Sequence, residues 1–146
     1  MSAVTRPRRV LLIEDHPADI ALTRKAFSQI KTTIDFQSVL DGIEAMQYLS
    51  KQGRFAKAPS PDLILLDLNM PRKDGREVLA EIKADPNLKS IPVIVLTTSA
   101  AADDIEDSYR LGANAYIVKP VAYADFTKVI RTIEAFWFLT AVLPGP

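Results

Sequence analysis

Four consecutive apolar residues, Leu63-Ile64-Leu65-Leu66, run directly into an acid, Asp67, and then into Leu68-Asn69-Met70-Pro71. Such a run is too short for an independent helix and lacks the alternation of a strand with one wet face. It fits a parallel strand covered on both faces. An acid directly after it falls at the carboxyl end of that strand, the edge of an open α/β sheet where ligand crevices form. Pro71 and the pair Asp74-Gly75 predict a loop and turn before the next helix.

The same pattern recurs along the chain. Val10-Leu11-Leu12-Ile13 is a second buried run, and it too ends in acids, Glu14 and Asp15. Pro17, after His16, suits the first turn of a helix, with Asp19 near the positive end of its dipole. Leu22, Ala26, Phe27 and Ile30 form that helix's predicted apolar stripe. Ile34 to Val39 reads as an edge strand, Asp41-Gly42 as a turn, and Ile43 to Ser50 as a short amphipathic helix. The breaker-rich stretch Gly53 to Pro61 predicts a surface loop.

Beyond Asp67, Val78, Leu79 and Ile82 mark a helix that stops near Asp85-Pro86. Ile91 to Leu96 is a third buried strand, tolerant of Pro92 only near its start, and Thr97-Thr98-Ser99 follows it. A helix through Tyr109 ends at Gly112, and Ala115 to Val118 is a fifth strand terminating in Lys119-Pro120. The last helix is expected from Ala122 to Leu143, with Phe126, Ile130, Ile133 and Trp137 facing the core. From Ala135 to Leu143 only Thr140 is polar, so apolar residues cover the whole circumference, the mark of an interface.

Strand and helix alternate throughout, which argues an α/β fold: a five-stranded parallel sheet, doubly wound, with helices on both faces. The 146 residues suffice for one buried core, so a single domain is expected over residues 9–146 after an N-terminal arm, residues 1–8. Arg6, Arg8 and Arg9 there read as solvated. Eighteen basic and eighteen acidic residues cancel, which gives no field for nucleic acid or an anionic membrane surface. The absence of cysteine excludes disulfides, thiolate metal sites and cysteine nucleophiles. No signal-type segment precedes Arg8 and no apolar run approaches the roughly 18 residues of a membrane span, so a cytoplasmic protein is expected.

Glu14, Asp15, Asp67, Thr97 and Lys119 all follow or end strands, and the ends of parallel strands share one edge. If the first and third strands are neighbours, about 4.8 Å apart, the three carboxylates converge. Crowded carboxylates either hold protons or hold a cation. An all-oxygen set with vacant positions favours Mg²⁺, commonly completed by a substrate phosphate. Lys119 can pair with Asp67 or with a phosphoryl oxygen, and the Thr97 hydroxyl can donate to the same group. The implied chemistry is phosphoryl transfer, with Asp67 as a carboxylate nucleophile. No phosphate-cradling glycine loop follows the first strand, so the donor should come from outside.

These pieces in this order, Leu-Leu-Ile-Glu14-Asp15, Leu-Leu-Asp67-Leu-Asn69-Met-Pro71 with Asp74-Gly75, Val-Leu-Thr97 and Tyr116-Ile-Val-Lys119-Pro120, resemble the receiver domain of two-component response regulators. The resemblance covers Arg9 to Thr132 and implies the strand order 2-1-3-4-5 of flavodoxin-like sheets. It makes Asp67 the phosphoacceptor, with Asp15, Asp67 and the Asn69 main-chain carbonyl on Mg²⁺ and Glu14 acting through water. Thr97 and Lys119 would contact the phosphoryl group, Tyr116 would be the rotating aromatic coupled to Thr97, and Lys119-Pro120 would be cis. Thr98 departs from the small residues commonest at its position, which implies slower access to the phosphoryl group. Asn69 and Ser99 occupy positions that tune phosphoryl lifetime in such domains.

The implied activity is that of a phosphoacceptor, not an enzyme with an external substrate. Its phosphoryl donor would be a sensor histidine kinase. The loop from Gly53 to Pro61, the run Pro71 to Gly75 and the tail Phe136-Trp137-Phe138-Leu139 resemble the single-domain regulators paired with bacterial phytochrome kinases. No effector domain is expected after the last helix, so output is expected through protein contact. Phe136, Trp137, Leu139, Val142 and Leu143 are the expected homodimer contact. An adaptor that is never phosphorylated and a phosphorelay intermediate stay open as alternatives. A phosphohydrolase would want an acid where Asn69 stands, and a flavin carrier a Ser/Thr- and Gly-rich loop where Glu14 to Pro17 stands.

Overall fold

The computed structural model describes residues 6–144, so residues 1–5 of the expected arm lie outside it. β1 (Arg8–Ile13), β3 (Leu63–Leu66) and β4 (Val93–Thr97) are the three interior strands of a five-stranded sheet. β2 (Ile34–Val39) and β5 (Ala115–Val118) are its edges, in the order β2-β1-β3-β4-β5, every pair parallel. The expected doubly wound architecture and strand order are both present.

The continuous apolar runs are explained by two buried faces. Leu11, Ile13, Ile64, Leu66, Val93 and Val95 share one cluster with residues of α2 (Gly42–Leu49) and α3 (Gly75–Ala84). Their strand neighbours Val10, Leu12, Leu63, Leu65, Ile94 and Leu96 share the other with α1 (Pro17–Ser28) and α5 (Tyr123–Ile133). Each fully buried aliphatic side chain is worth about 1.5–3 kcal/mol, which makes these strands the most strongly specified part of the chain. α4 (Ala102–Arg110) is different: of its residues only Ser108 is buried. It is tied down by polar contacts.

Several boundaries differ from expectation. Both Asp-Gly pairs start helices rather than making turns. Asp41 caps α2 by accepting the Glu44 N–H at 2.8 Å, and Asp74 caps α3 by accepting the Arg76 N–H at 2.7 Å. In α1 the buried positions are Thr23, Ala26 and Phe27, while Leu22 is exposed. Thr23 tolerates burial because its hydroxyl donates to the Asp19 carbonyl at 2.7 Å. The loop after α2 contains a 3₁₀ turn, Gly53–Phe55, whose Phe55 ring lies 5.2 Å from that of Tyr48, so it is anchored on the core. Nor are the described residues of the arm solvated and free: Arg8 already pairs in β1, and the Arg6 guanidinium grips Asp62 with bonds of 2.7 and 2.9 Å.

The last helix is shorter than predicted. α5 ends at Ile133 and passes into a π-helical turn, Glu134–Phe138, closed by Leu139 N–H on the Glu134 carbonyl at 3.1 Å. The extra residue per turn shifts the stripe, so Phe138 is buried beyond Ile133 where Trp137 was expected. Trp137 and Leu143 pack half-buried against the chain's own core. Of the five expected dimer residues, Phe136, Leu139 and Val142 are exposed. Every peptide bond among the described residues is trans, including Lys119-Pro120, which corrects the expected cis bond and follows the ordinary preference of such amides. No helix among the described residues is long and apolar enough to cross a membrane.

Candidate functional site

Parallel pairing brings the strand ends together. Ile13 is registered with Leu66, and the Asp67 N–H continues that ladder by donating to the Ile13 carbonyl at 3.0 Å. Thr97 is registered with Val118, and the Lys119 N–H donates to the Thr97 carbonyl at 2.7 Å. Asp67 is therefore fixed from the backbone before its side chain makes any contact. The start of α3 presses on it: a Cβ on Gly75 would lie 2.7 Å from the Leu68 Cα and closer still to the Asp67 carbonyl oxygen. Only glycine permits that approach.

Glu14, Asp15, His16 and Asp67 each place one candidate ligand atom within 4.8 Å of the others. Glu14 is 1% exposed and accepts the N–H groups of Asp15, at 3.1 Å, and His16, at 3.2 Å. Burial, outweighing the attraction of Lys119, pushes the Glu14 carboxyl above the ordinary range. Asp67 is buried, and among the described residues the only hydrogen bond to its side chain is a long one of 3.5 Å from the Asn69 N–H. His16 is largely exposed, with Nδ1 3.4 Å from both Glu14 and Asp15. Asp15, first among the causes, and then Glu14 raise its pKa.

Two buried polar atoms face this edge without a hydrogen-bond partner, Asp15 Oδ1 and Thr97 Oγ1. Leaving a buried polar atom without a hydrogen bond costs about 1–3 kcal/mol, in full for Thr97 Oγ1 and less for Asp15 Oδ1, which lies 3.4 Å from His16 Nδ1, a cost that function explains better than folding does. The donors are all oxygens apart from His16, a set that suits a hard divalent cation of the Mg²⁺ type.

Lys119 lies in the same pocket, but its partners differ from those expected. Its ammonium bonds to Glu14 and, at 3.1 Å, to Asp19 of α1, and not to Asp67. Burial acts to lower its pKa, but Glu14, with Asp67 and Asp19 behind it, more than reverses this and raises it. Asp19 was legible in the sequence as a helix-dipole charge only, since nothing local reveals a partner on the last strand.

Tyr116, on β5, is half-buried, and its hydroxyl donates to the Ser99 carbonyl at 2.8 Å. Burial leads the raising of its pKa. Thr98 is exposed at the rim, and Asn69 is exposed as well. Two residues that sequence reasoning missed follow Asp67 in the chain and make long-range polar contacts. Arg72, in the loop after Asp67, adopts a left-handed backbone with φ of 64° and bonds through Nε to Asp41 at 2.8 Å. Arg76 joins Asp74 to Asp104 of α4.

Comparison with known proteins places this geometry. Residues 10–131 match the response regulator receiver domain. The response regulator Rcp1 of Synechocystis sp. is 48% identical over 141 residues, which cover 95% of each chain. The crystal structure of the phosphorylated cyanobacterial phytochrome response regulator RcpA superposes with a TM-score of 0.92. It is 49% identical, and the match covers 96% of this chain and 100% of that one. The Mn²⁺-bound form of Rcp1 superposes with a TM-score of 0.89 at 46% identity, covering 95% and 100%.

Proposed function

This chain belongs to the response regulator receiver family, and from that premise we propose that Asp67 accepts a phosphoryl group from a sensor histidine kinase in a Mg²⁺-dependent reaction. The observation that carries the reading is the pair of buried oxygens that accept or donate no hydrogen bond, Thr97 Oγ1 and Asp15 Oδ1, the latter only 3.4 Å from the exposed His16 ring, at the edge where Asp67 ends its strand. Asp15, Asp67 and the Asn69 main-chain carbonyl would hold the cation, with Glu14 beyond water, and it would supply charge neutralisation for the incoming oxygens.

The protein's own groups do the rest. An Asp67 carboxylate oxygen attacks phosphorus, the bond from phosphorus to the donor breaks, and the bonding electron pair leaves with the donor atom, which then takes up a proton. Thr97 Oγ1 has a free hydroxyl to donate to a phosphoryl oxygen. Lys119 supplies a compact positive charge and must leave Glu14 or Asp19 to reach that oxygen.

The kinase is proposed to be of the phytochrome type, supported by the cyanobacterial phytochrome regulator among the similar structures. Phe136, Leu139 and Val142 are exposed and apolar, and they support a homodimer through the tail. An unchanged mass by light scattering for Phe136→Asp would end that part of the proposal.

Intact mass after incubation with Mg²⁺ and acetyl phosphate tests the assignment. One phosphate adduct is expected on the wild type and none on Asp67→Asn; adducts on both, or on neither, defeat it.

A further inference from the structure

A chain of polar contacts outside the pocket joins its two walls. Asp74, the cap of α3, accepts two bonds of 3.2 Å from the Arg76 guanidinium. The other arm of that guanidinium bonds to one oxygen of Asp104 on α4, and the second Asp104 oxygen accepts the Ser99 hydroxyl at 2.6 Å. The Ser99 hydroxyl oxygen also accepts the Ala101 N–H at 3.2 Å, while the Ser99 carbonyl receives the Tyr116 hydroxyl at 2.8 Å. One end of the chain thus sits at the α3 terminus that presses on Asp67, and the other at Tyr116.

We infer that Arg76 and Asp104 act as positioning residues, an ion pair that holds the loop directly after Thr97, residues 98–101, so that Tyr116 stays on the Ser99 carbonyl and the segment next to the Thr97 hydroxyl keeps its place. This rests on the reading of Asp67 as phosphoacceptor. The apolar core cannot hold that loop, because α4 buries only Ser108 and Thr98, Ala100 and Ala101 are exposed. Polar contacts must therefore define its position. The pair is well suited to this. Arg76 and Asp104 are 30% and 25% exposed, sheltered enough to keep one geometry and open enough to release it. Both stay charged across the neutral range: the Asp104 hydrogen bond raises the Arg76 guanidinium, and bonds from Ser99 and then Arg76 lower the Asp104 carboxyl.

A loop that is assembled only part of the time lowers the apparent rate by the fraction assembled. Breaking the pair is expected to slow Asp67 phosphorylation about fivefold or more, the lower end of ordinary coupling between sites.

The test uses the full chain and the variants Arg76→Gln, Asp104→Asn, their double, and Arg76→Lys. Without phosphodonor, the Tyr116 ring resonances and the Ala101 amide exchange rate should change in both single variants. The double should change no more than either single, and Arg76→Lys should fall between wild type and Arg76→Gln. With Mg²⁺ and acetyl phosphate, adduct formation by intact mass should slow in the same order. Unchanged Tyr116 and Ala101 signals overturn the inference, as do equal phosphorylation rates in all variants alongside a phosphorylated wild type. A wild type that takes no adduct defeats the Asp67 reading instead, and the positioning role is then judged by the Tyr116 and Ala101 signals alone.

Discussion

Thr32 donates twice to the buried Glu134 carboxylate, from its backbone N–H at 2.7 Å and from its hydroxyl at 2.6 Å. This pair ties the loop between α1 and β2 to the first residue of the π-helical turn. Glu134→Ala leaves both donors without an acceptor and is expected to cost about 2–3 kcal/mol in urea denaturation. The only tryptophan, Trp137, reports on the same turn. Its emission should shift to the red in Glu134→Ala and stay near wild type in Glu134→Gln, whose amide oxygen still accepts.

Asp62 gives a second anchor with a pH signature. Burial acts to raise its pKa, but the hydrogen bonds from Arg6 and the Arg9 N–H, with the charge of Arg6, prevail and lower it. A carboxyl depressed in the folded state contributes stability above its unfolded pKa and loses it as pH falls through the folded value. The difference in unfolding free energy between wild type and Asp62→Asn should be constant, about 1–2 kcal/mol, from pH 5 to 8 and shrink below about pH 4. A difference that grows on acidification would contradict the pairing.

The strand ends were legible because each was written as an apolar run meeting a polar residue, and parallel pairing carries such ends to one edge whatever the loops do. Glu14, Asp15, Asp67, Thr97 and Lys119 were all found this way. The detail of α1 was less legible, since Leu22 and Thr23 both fit a helical stripe and only the hydroxyl's bond to Asp19 lets Thr23 take the inside. The tail failed for a reason of period: Trp137 continues a 3.6-residue stripe from Ile133, but one wide turn hands its place to Phe138. Arg76 and Asp104 left no local signal at all, because the contact joins two helices 28 residues apart in the chain.

Gly75 is required by contact rather than by its backbone angle. A methyl group there meets the Asp67 carbonyl and the Leu68 Cα, backbone atoms that cannot swing aside as a side chain would. Gly75→Ala should destabilise the protein by about 1–3 kcal/mol, the range for overpacking. It should also displace Asp67 and slow adduct formation. Gly53→Ala is the control, since its Cβ meets nothing within 4 Å and any cost there comes from a φ of +56° alone.

Lys119 and Glu14 should prove unequal partners. Lys119→Met leaves Glu14, 1% exposed, without its ammonium partner, with Asp67 nearby and only the largely exposed His16 ring, 3.4 Å away, as a neighbour that can carry positive charge, a change expected to cost about 3 kcal/mol at neutral pH. Glu14 already has its pKa raised by burial, and loss of Lys119 raises it further. A group raised in the folded state favours folding below its unfolded pKa, and that contribution is lost as pH rises through the folded value. The deficit of Lys119→Met relative to wild type should accordingly be largest near pH 8 and diminish as pH falls, as Glu14 takes up a proton and His16 beside it gains charge. Adding Glu14→Gln removes the buried charge, so the double variant should be more stable at pH 8 than Lys119→Met alone and should lose most of the pH dependence. Urea midpoints measured from pH 5 to 8 on the three proteins decide it: a deficit that is flat with pH, or a double variant less stable than the single, would mean that Lys119 supports this edge by packing rather than by charge.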